Sequence, residues 1–456
     1  MLIFISRYVN DTKRSQDKRE KMEKRVKKFL AVTISFLGIC FTYCICLANN
    51  PGIDKEDPVN STDLIKMGIA GELSPDEKII IETTEKVRGL SAEPRMAPIY
   101  KTEEELRNYL IAQVNNTSDE ELRIDSALFI ILGFIPEDFN LRQFYVDLYS
   151  EQIAGFYDSK TNEMHLVVNE SSYDNALTLA HEYTHFLQYN TQAFKPVLHH
   201  DEDFCTDNVE TCLILNALIE GDASLTETLI NPDSLLGERQ NGRKTTRDVF
   251  YAAPKYFQDS LLFPYKYGLD FVSYHYLKGG FSAVNDLYMN LPQSIEQIMH
   301  PEKYQKDLPA DVSLEPFRTF IEKDFDIKRS NVLNESDIRL ILGSGYKEEW
   351  QLSERQAEIA AAGWGGGSYI YAEKDGKQLF FSKVLWDSVQ DAEEAETIFE
   401  LYSNKRFGEQ TADKVWAGEN GEKIYLFRQD DILYWMILPE NFDRSAVVDI
   451  IQLNRN

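Results

Sequence analysis

The sequence predicts an α+β protein: a mostly helical body carrying one small edge hairpin, followed by a small antiparallel α+β module. Three observations predict it. Apolar residues recur at helical spacing through much of residues 76–335, residues 153–168 read instead as two strands about a polar turn, and beyond residue 340 strands mix with helices. A chain of 456 residues with 43% hydrophobic content has room for more than one domain and a sizeable core. The formal net charge of −27 argues against nucleic acid as a partner, because neutralising phosphates requires a basic surface.

The N-terminus departs from that acidity, with ten Lys or Arg against four Asp or Glu in residues 1–48. A basic run from Lys21 to Lys28 leads into an apolar stretch from Phe29 to Ala48, long enough to span a bilayer. Residues 1–48 are therefore expected to be either a cleaved signal peptide or a retained membrane anchor. Positive charge ahead of the segment puts the body outside the cytoplasm, secreted or tethered. Residues 49–75, with Asn50-Pro51-Gly52 and Asp57-Pro58, read as a linker.

The body is expected to run from 76 to 335. Ser74-Pro75-Asp76 opens one helix, Thr102-Glu103-Glu104-Glu105 opens a second, and a third from Asp119 to Leu132 ends at Gly133. The hairpin follows, and its edge could accept an extended peptide by strand addition. His165 alternates within it as an ordinary strand residue.

The chemistry lies in the next helix. Leu177-Thr178-Leu179-Ala180-His181-Glu182-Tyr183-Thr184-His185-Phe186-Leu187-Gln188 is apolar on both sides of an H-E-x-x-H motif, with Asp174 as a cap signal and no Gly or Pro inside. Residues four apart on a helix stand one above the other, so His181 and His185 can direct both imidazoles at one metal ion. Glu182 flanks the same cleft. A zinc ion with three protein ligands keeps a position for water, lowers its pKa, and needs a carboxylate to take the proton. This predicts one Zn²⁺ per chain, with Glu182 as general base.

The third ligand is expected on a helix from Val209 to Ile230. Glu220 is a charge within the apolar run Leu213-Ile214-Leu215-Asn216-Ala217-Leu218-Ile219, and a buried carboxylate needs a cation. Gly221 would let this helix approach the zinc helix closely. The intervening loop holds His199, His200, Asp201 and Asp203, read as solvated. Cys205 and Cys212, in the exported body, suggest a disulfide closing a short loop.

H-E-x-x-H followed by a glutamate on a second helix resembles the gluzincin zinc metallopeptidases, whose third ligand is that Glu. The wider chain resembles a group of largely uncharacterised exported bacterial proteins, through Glu151-Gln152-Ile153-Ala154-Gly155-Phe156-Tyr157-Asp158, Ala180-His181-Glu182, Glu220-Gly221-Asp222-Ala223, His300-Pro301-Glu302-Lys303-Tyr304 and Gly363-Trp364-Gly365-Gly366. The resemblance implies a zincin-like fold over 76–335 and hydrolysis of a peptide or protein substrate. One position departs from the gluzincin pattern: four residues after Glu220, where an Asp usually orients the first His, stands Ser224. Asp222 is expected to face away, and Glu227 is a possible substitute.

A peptidase also needs a donor for the oxyanion of the tetrahedral intermediate. His300 is the leading candidate, with Tyr304, Tyr265 and Tyr267 behind it. The C-terminal module is expected over 340–456, its strands at Tyr369–Tyr371, Leu379–Leu385, Lys423–Phe427 and Ile432–Leu438, with Gly363-Trp364-Gly365-Gly366-Gly367 as a helix breaker. Against the enzyme stands one other reading, a zinc-stabilised binding or scaffolding protein without turnover. Glu182 between the two His counts against it, since a purely structural site has no use for that carboxylate.

Overall fold

The computed structural model describes residues 73–442 except 153, 168–171, 199–203 and 232–247, together with 445, 448, 449 and 451. The expected export segment 1–48, residues 49–72 of the linker, the His199–Asp203 loop and the side chain of Asp174 lie outside the described residues. Among those described, no helix is long and apolar enough to cross a membrane.

The architecture is α+β. Helix α1 (Pro75–Arg88) starts at a capping box on Ser74 and stops at Gly89 in the left-handed conformation, as Ser74-Pro75 and Gly89 dictate. Strand β1 (Ile99–Lys101), α2 (Glu103–Asn116), α3 (Asp119–Leu132) and α4 (Leu141–Gln152) follow. The hairpin is β2 (Gly155–Asp158) and β3 (Glu163–Val167), and β1 pairs parallel to β3, so the small sheet runs β1-β3-β2 with β2 at an edge. Then come α5 (Ser172–Asn190), which carries the H-E-x-x-H motif, the short α6 (Lys195–Leu198) and α7 (Phe204–Asp207), and α8 (Val209–Ile230). Cys205 and Cys212 form a disulfide between α7 and α8.

Beyond the 232–247 segment lie α9 (Asp248–Ala252), α10 (Lys255–Phe263), a π-helical turn (Pro264–Gly268), α11 (Leu269–Met289) and α12 (Ile295–Met299). Helix α11 breaks at Gly279 and Gly280, where the backbone leaves the helical region. Helices α1, α5, α8 and α11 pack on one core that includes Ile81, Leu179, Tyr183, Leu218, Phe271 and Tyr288. Burying each large apolar side chain contributes roughly 1.5–3 kcal/mol. Helix α8 is buried continuously from Ala217 to Glu227, which explains why its sequence is apolar on nearly every face.

Gly221 makes a close approach possible, but not to the zinc-motif helix. A Cβ there would lie 2.2 Å from the Gly268 carbonyl oxygen, and one on Gly268 would lie 2.1 Å from that of Ala217. The two glycines therefore let α8 and the π turn touch backbone to backbone.

The C-terminal part comprises α13 (Glu315–Ile321), β4 (Asp326–Val332), α14 (Glu335–Gly343), α15 (Glu354–Ala361), β5 (Trp364–Lys374), β6 (Lys377–Trp386), α16 (Val389–Phe407), β7 (Val415–Ala417), β8 (Lys423–Gln429) and β9 (Ile432–Leu438). The strands form one antiparallel sheet in the order β4-β5-β6-β9-β8-β7. Its first strand comes from 326–332, ahead of the boundary at 335–340 expected from sequence. The Gly-Trp-Gly-Gly-Gly run does more than break a helix: from Trp364 onward it is the start of β5. Glycine is needed there because a Cβ on Gly367 would lie 2.4 Å from the Leu333 carbonyl oxygen.

Alternation along the strands gives the sheet two covered faces. Tyr371, Phe380, Trp435 and Ile437 join a core shared with Leu132, Phe144 and Phe257 of the helical body. Ile370, Phe381, Tyr434 and Met436 pack on Phe317 and Ile321 of α13.

Candidate metal centre

Helix α5 delivers His181, Glu182 and His185 to its junction with α8, and α8 delivers Glu220. One ligand atom from each of His181, His185 and Glu220 lies within 4.8 Å of the others, and all three residues are buried. His181 Nε2 is 3.3 Å from Glu220 Oε2, and His185 Nε2 is 3.7 Å from Glu220 Oε1. Both imidazoles thus present the same ring nitrogen to one carboxylate.

The other ring nitrogens are held from behind. His185 Nδ1 is 2.9 Å from Gln188 Oε1, and His181 Nδ1 is 3.4 Å from Glu227 Oε2. Glu227 thus faces the first His where Ser224 leaves the usual Asp position without a carboxylate. An Nδ1 that donates its proton leaves Nε2 with a lone pair, the form that binds a metal.

A metal ion fits this donor set on an observation of the site itself. His185 Nε2 is fully buried and has no hydrogen-bond partner among the described residues. Two imidazole nitrogens and a carboxylate oxygen that converge on a point are a donor set that can hold a metal ion, and a buried polar atom without a partner is costly unless something binds it.

Electrostatics describe the same crowding. Burial works against a charged His181, yet hydrogen bonds to Glu220 and Glu227 and the nearby carboxylates, Glu182 included, outweigh it and push its pKa up to about 10. Burial holds His185 below its ordinary value, with the charge on His181 adding to the effect. For Glu220 the histidines and a hydrogen bond from Tyr265 overcome burial and lower the pKa. Glu182 goes the other way. Burial and the neighbouring carboxylates push it up to about 8, against the pull of His181 and of the Tyr157 N–H.

Glu182 is fixed from the hairpin. Its Oε2 accepts from the backbone N–H of Tyr157 at 2.8 Å, while Oε1 is buried and has no hydrogen-bond partner among the described residues. Tyr157 lies in β2, where alternate residues turn their amides away from β3, so the sheet's edge faces the motif helix.

Each expected oxyanion candidate has a hydrogen-bond partner of its own. His300 caps the C-terminus of α12 and sits 3.0 Å from Glu335 Oε1, which Arg339 also contacts at 3.2 Å. Tyr267 accepts from Arg339, and Tyr304 donates to the Asn290 carbonyl. Only Tyr265, from the π turn, bonds to a member of the metal-ligand group, Glu220. Short π-helical insertions often mark functional positions, and this one aims Tyr265 at the ligand. His165 is paired with Glu163 within the hairpin and plays no part.

Asp222 corrects an expectation. It turns away from His181, but not from the site: it accepts from Gln188 Nε2 at 3.1 Å and from the Tyr288 hydroxyl at 2.9 Å. Its carboxylate pairs with Arg88 of α1, Nε to Oδ1 at 2.7 Å and Nη2 to Oδ2 at 2.9 Å. Sequence reasoning missed Arg88, Gln188 and the Tyr157 amide. The one available signal for Gln188 is its place three residues after His185 on the same helix.

The family model of a domain of unknown function (DUF8575) matches residues 323–447. Its match covers the six-stranded sheet and α16, and lies wholly C-terminal to His181, His185 and Glu220. No curated protein and no solved structure matches the chain.

Proposed function

We propose that the chain is a zinc-dependent metallopeptidase of gluzincin type, acting outside the cytoplasm on a peptide or protein substrate. One observation carries the reading: the Nε2 atoms of His181 and His185 converge on Glu220 while Glu182 stands beside them with a carboxylate oxygen unclaimed. Bound zinc would supply an acidified water and polarise the scissile carbonyl. Glu182 takes the proton of the attacking water and returns it to the leaving amine, a task that suits a carboxylate whose Oε1 is unclaimed beside the ligands. The Tyr157 N–H holds one of its oxygens and leaves the other for that work. Tyr265 keeps Glu220 oriented, and β2, an edge strand of its sheet beside the motif helix, is the strand along which an extended substrate would lie. The basic run and apolar segment of residues 1–48 support export, with or without a retained anchor.

The test is elemental metal analysis of the full-length chain beside its Glu220→Ala variant. About one zinc per chain, lost in the variant, supports the reading. A parent purified without chelators that carries no zinc overturns it in favour of a binding protein.

A further inference from the structure

Resting on the metal-centre reading, we infer that Arg88, Asp222 and Gln188 form a buried positioning relay that fixes His185 in the tautomer able to bind metal. The argument is one of donors and acceptors. A guanidinium only donates, so toward Arg88 the Asp222 carboxylate can only accept, and Tyr288 adds a third donor at Oδ2. Gln188 Nε2 lies 3.1 Å from that same oxygen and 3.0 Å from the Ile219 carbonyl oxygen. Both neighbours are acceptors, so the end of the amide facing them must be its NH₂.

The opposite end, Oε1, then necessarily faces His185 Nδ1, at 2.9 Å. An amide oxygen cannot donate. His185 must therefore carry its proton on Nδ1, which leaves the lone pair on Nε2, the atom directed at Glu220. If the amide were turned over, its NH₂ would meet Nδ1, favour the proton on Nε2, and close the ligand position. Turning it also puts a carbonyl oxygen against Asp222 and Ile219.

The relay is built to resist that turn. Arg88, Gln188 and Asp222 are each 0% exposed, and the Arg88 guanidinium lies 4.6 Å from the centre of the Phe281 ring. Four helices contribute: α1 through Arg88, α5 through Gln188, α8 through Asp222 and α11 through Tyr288 and Phe281. A buried ion pair is a poor source of net stability, and fixing one unique arrangement is the better-attested use of such a pair.

The experiment titrates Co²⁺ into the full-length chain against a competing chelator, and follows the cobalt d–d absorption. It uses three variants: Gln188→Met, the charge-free double Arg88→Met/Asp222→Asn, and all three substitutions together. Gln188→Met nearly preserves volume and leaves the Arg88–Asp222 pair intact. We expect it to weaken cobalt binding about 10- to 100-fold and alter the absorption band, beyond the modest fall in thermal midpoint that losing buried hydrogen bonds brings to the metal-free chain. The charge-free variant should lose affinity too, and the triple variant no more than Gln188→Met alone, since the relay has one output. The charge-free double variant, which leaves Gln188 in place, keeps the test informative should the Gln188→Met chain fail to fold.

Full cobalt affinity in Gln188→Met or in the charge-free double, or independent additive losses, would overturn the relay while the metal centre stands. A parent chain that binds no cobalt sinks the centre and the relay together.

Discussion

His181 Nδ1 lies 3.4 Å from Glu227 Oε2, seven residues along α8 from Glu220, the candidate ligand. Seven residues are close to two helical turns, so Glu220 and Glu227 share a face of α8 and grip the imidazole from its two nitrogens. The departure at Ser224 is thereby made good from one turn further on. Glu227→Ala should weaken zinc binding about 10- to 100-fold without abolishing it, measured by chelator competition. Unchanged affinity would mean that Glu227 is only a neighbour.

Glu182→Gln separates binding from chemistry. The amide oxygen can still accept from the Tyr157 N–H, so the helix and hairpin should keep their relation and zinc content should match the parent. Hydrolysis of a peptide library should fall by roughly 10²- to 10⁴-fold. A variant that cleaves as fast as the parent removes Glu182 from the mechanism.

Gly268→Ala tests the contact between α8 and the π turn. The new methyl group would lie 2.1 Å from the Ala217 carbonyl oxygen, and neither backbone can yield as a side-chain tip does. The cost should be roughly 1–3 kcal/mol or more, read as a lower thermal midpoint. Because Tyr265 rides on the same turn, metal affinity should fall as well. A variant as stable as the parent would show that the turn has room to move.

Acid–base behaviour should be carried in part by Asp337. Burial pushes its carboxyl up to about 7, against the pull of the Asn334 N–H that it accepts. A raised carboxyl stabilises the fold below the unfolded pKa of about 4, and that contribution is lost as pH rises toward 7. Asp337→Asn keeps an acceptor for Asn334 and removes the buried charge. Its gain over the parent should be larger at pH 8 than at pH 5, by about 1–2 kcal/mol after allowing for partial solvent access. Equal gains at the two pH values would contradict the assignment.

What could be read in advance was whatever the chain states locally. His181, Glu182 and His185 are set by helical spacing alone, and Glu220 stood out as a charge in an apolar run. The disulfide followed from two close cysteines. Arg88 could not be read, because it meets Asp222 across 134 residues through packing no periodicity records. Gly221 was assigned the wrong neighbour for the same reason: its small size was legible, its partner Gly268 was not. Strand β4, Asp326-Ile327-Lys328-Arg329-Ser330-Asn331-Val332, escaped because an edge strand with polar residues lacks the alternation of a half-buried one. His300 was chosen for its chemistry; its partner Glu335, on another element, could not be read from spacing.

The sheet of the C-terminal part shares one apolar core with α3, α4 and α10: Trp364, Phe380 and Trp435 interlock with Leu132, Phe144 and Phe257. Arg406 reinforces the seam by donating to the carbonyls of Ile131 and Leu132. The segment that the family match delimits is therefore no detachable cassette. Cut away at residue 323, it would leave two raw apolar faces, one on each fragment. A lineage that carries this module without the helical body must have found another cover for that face.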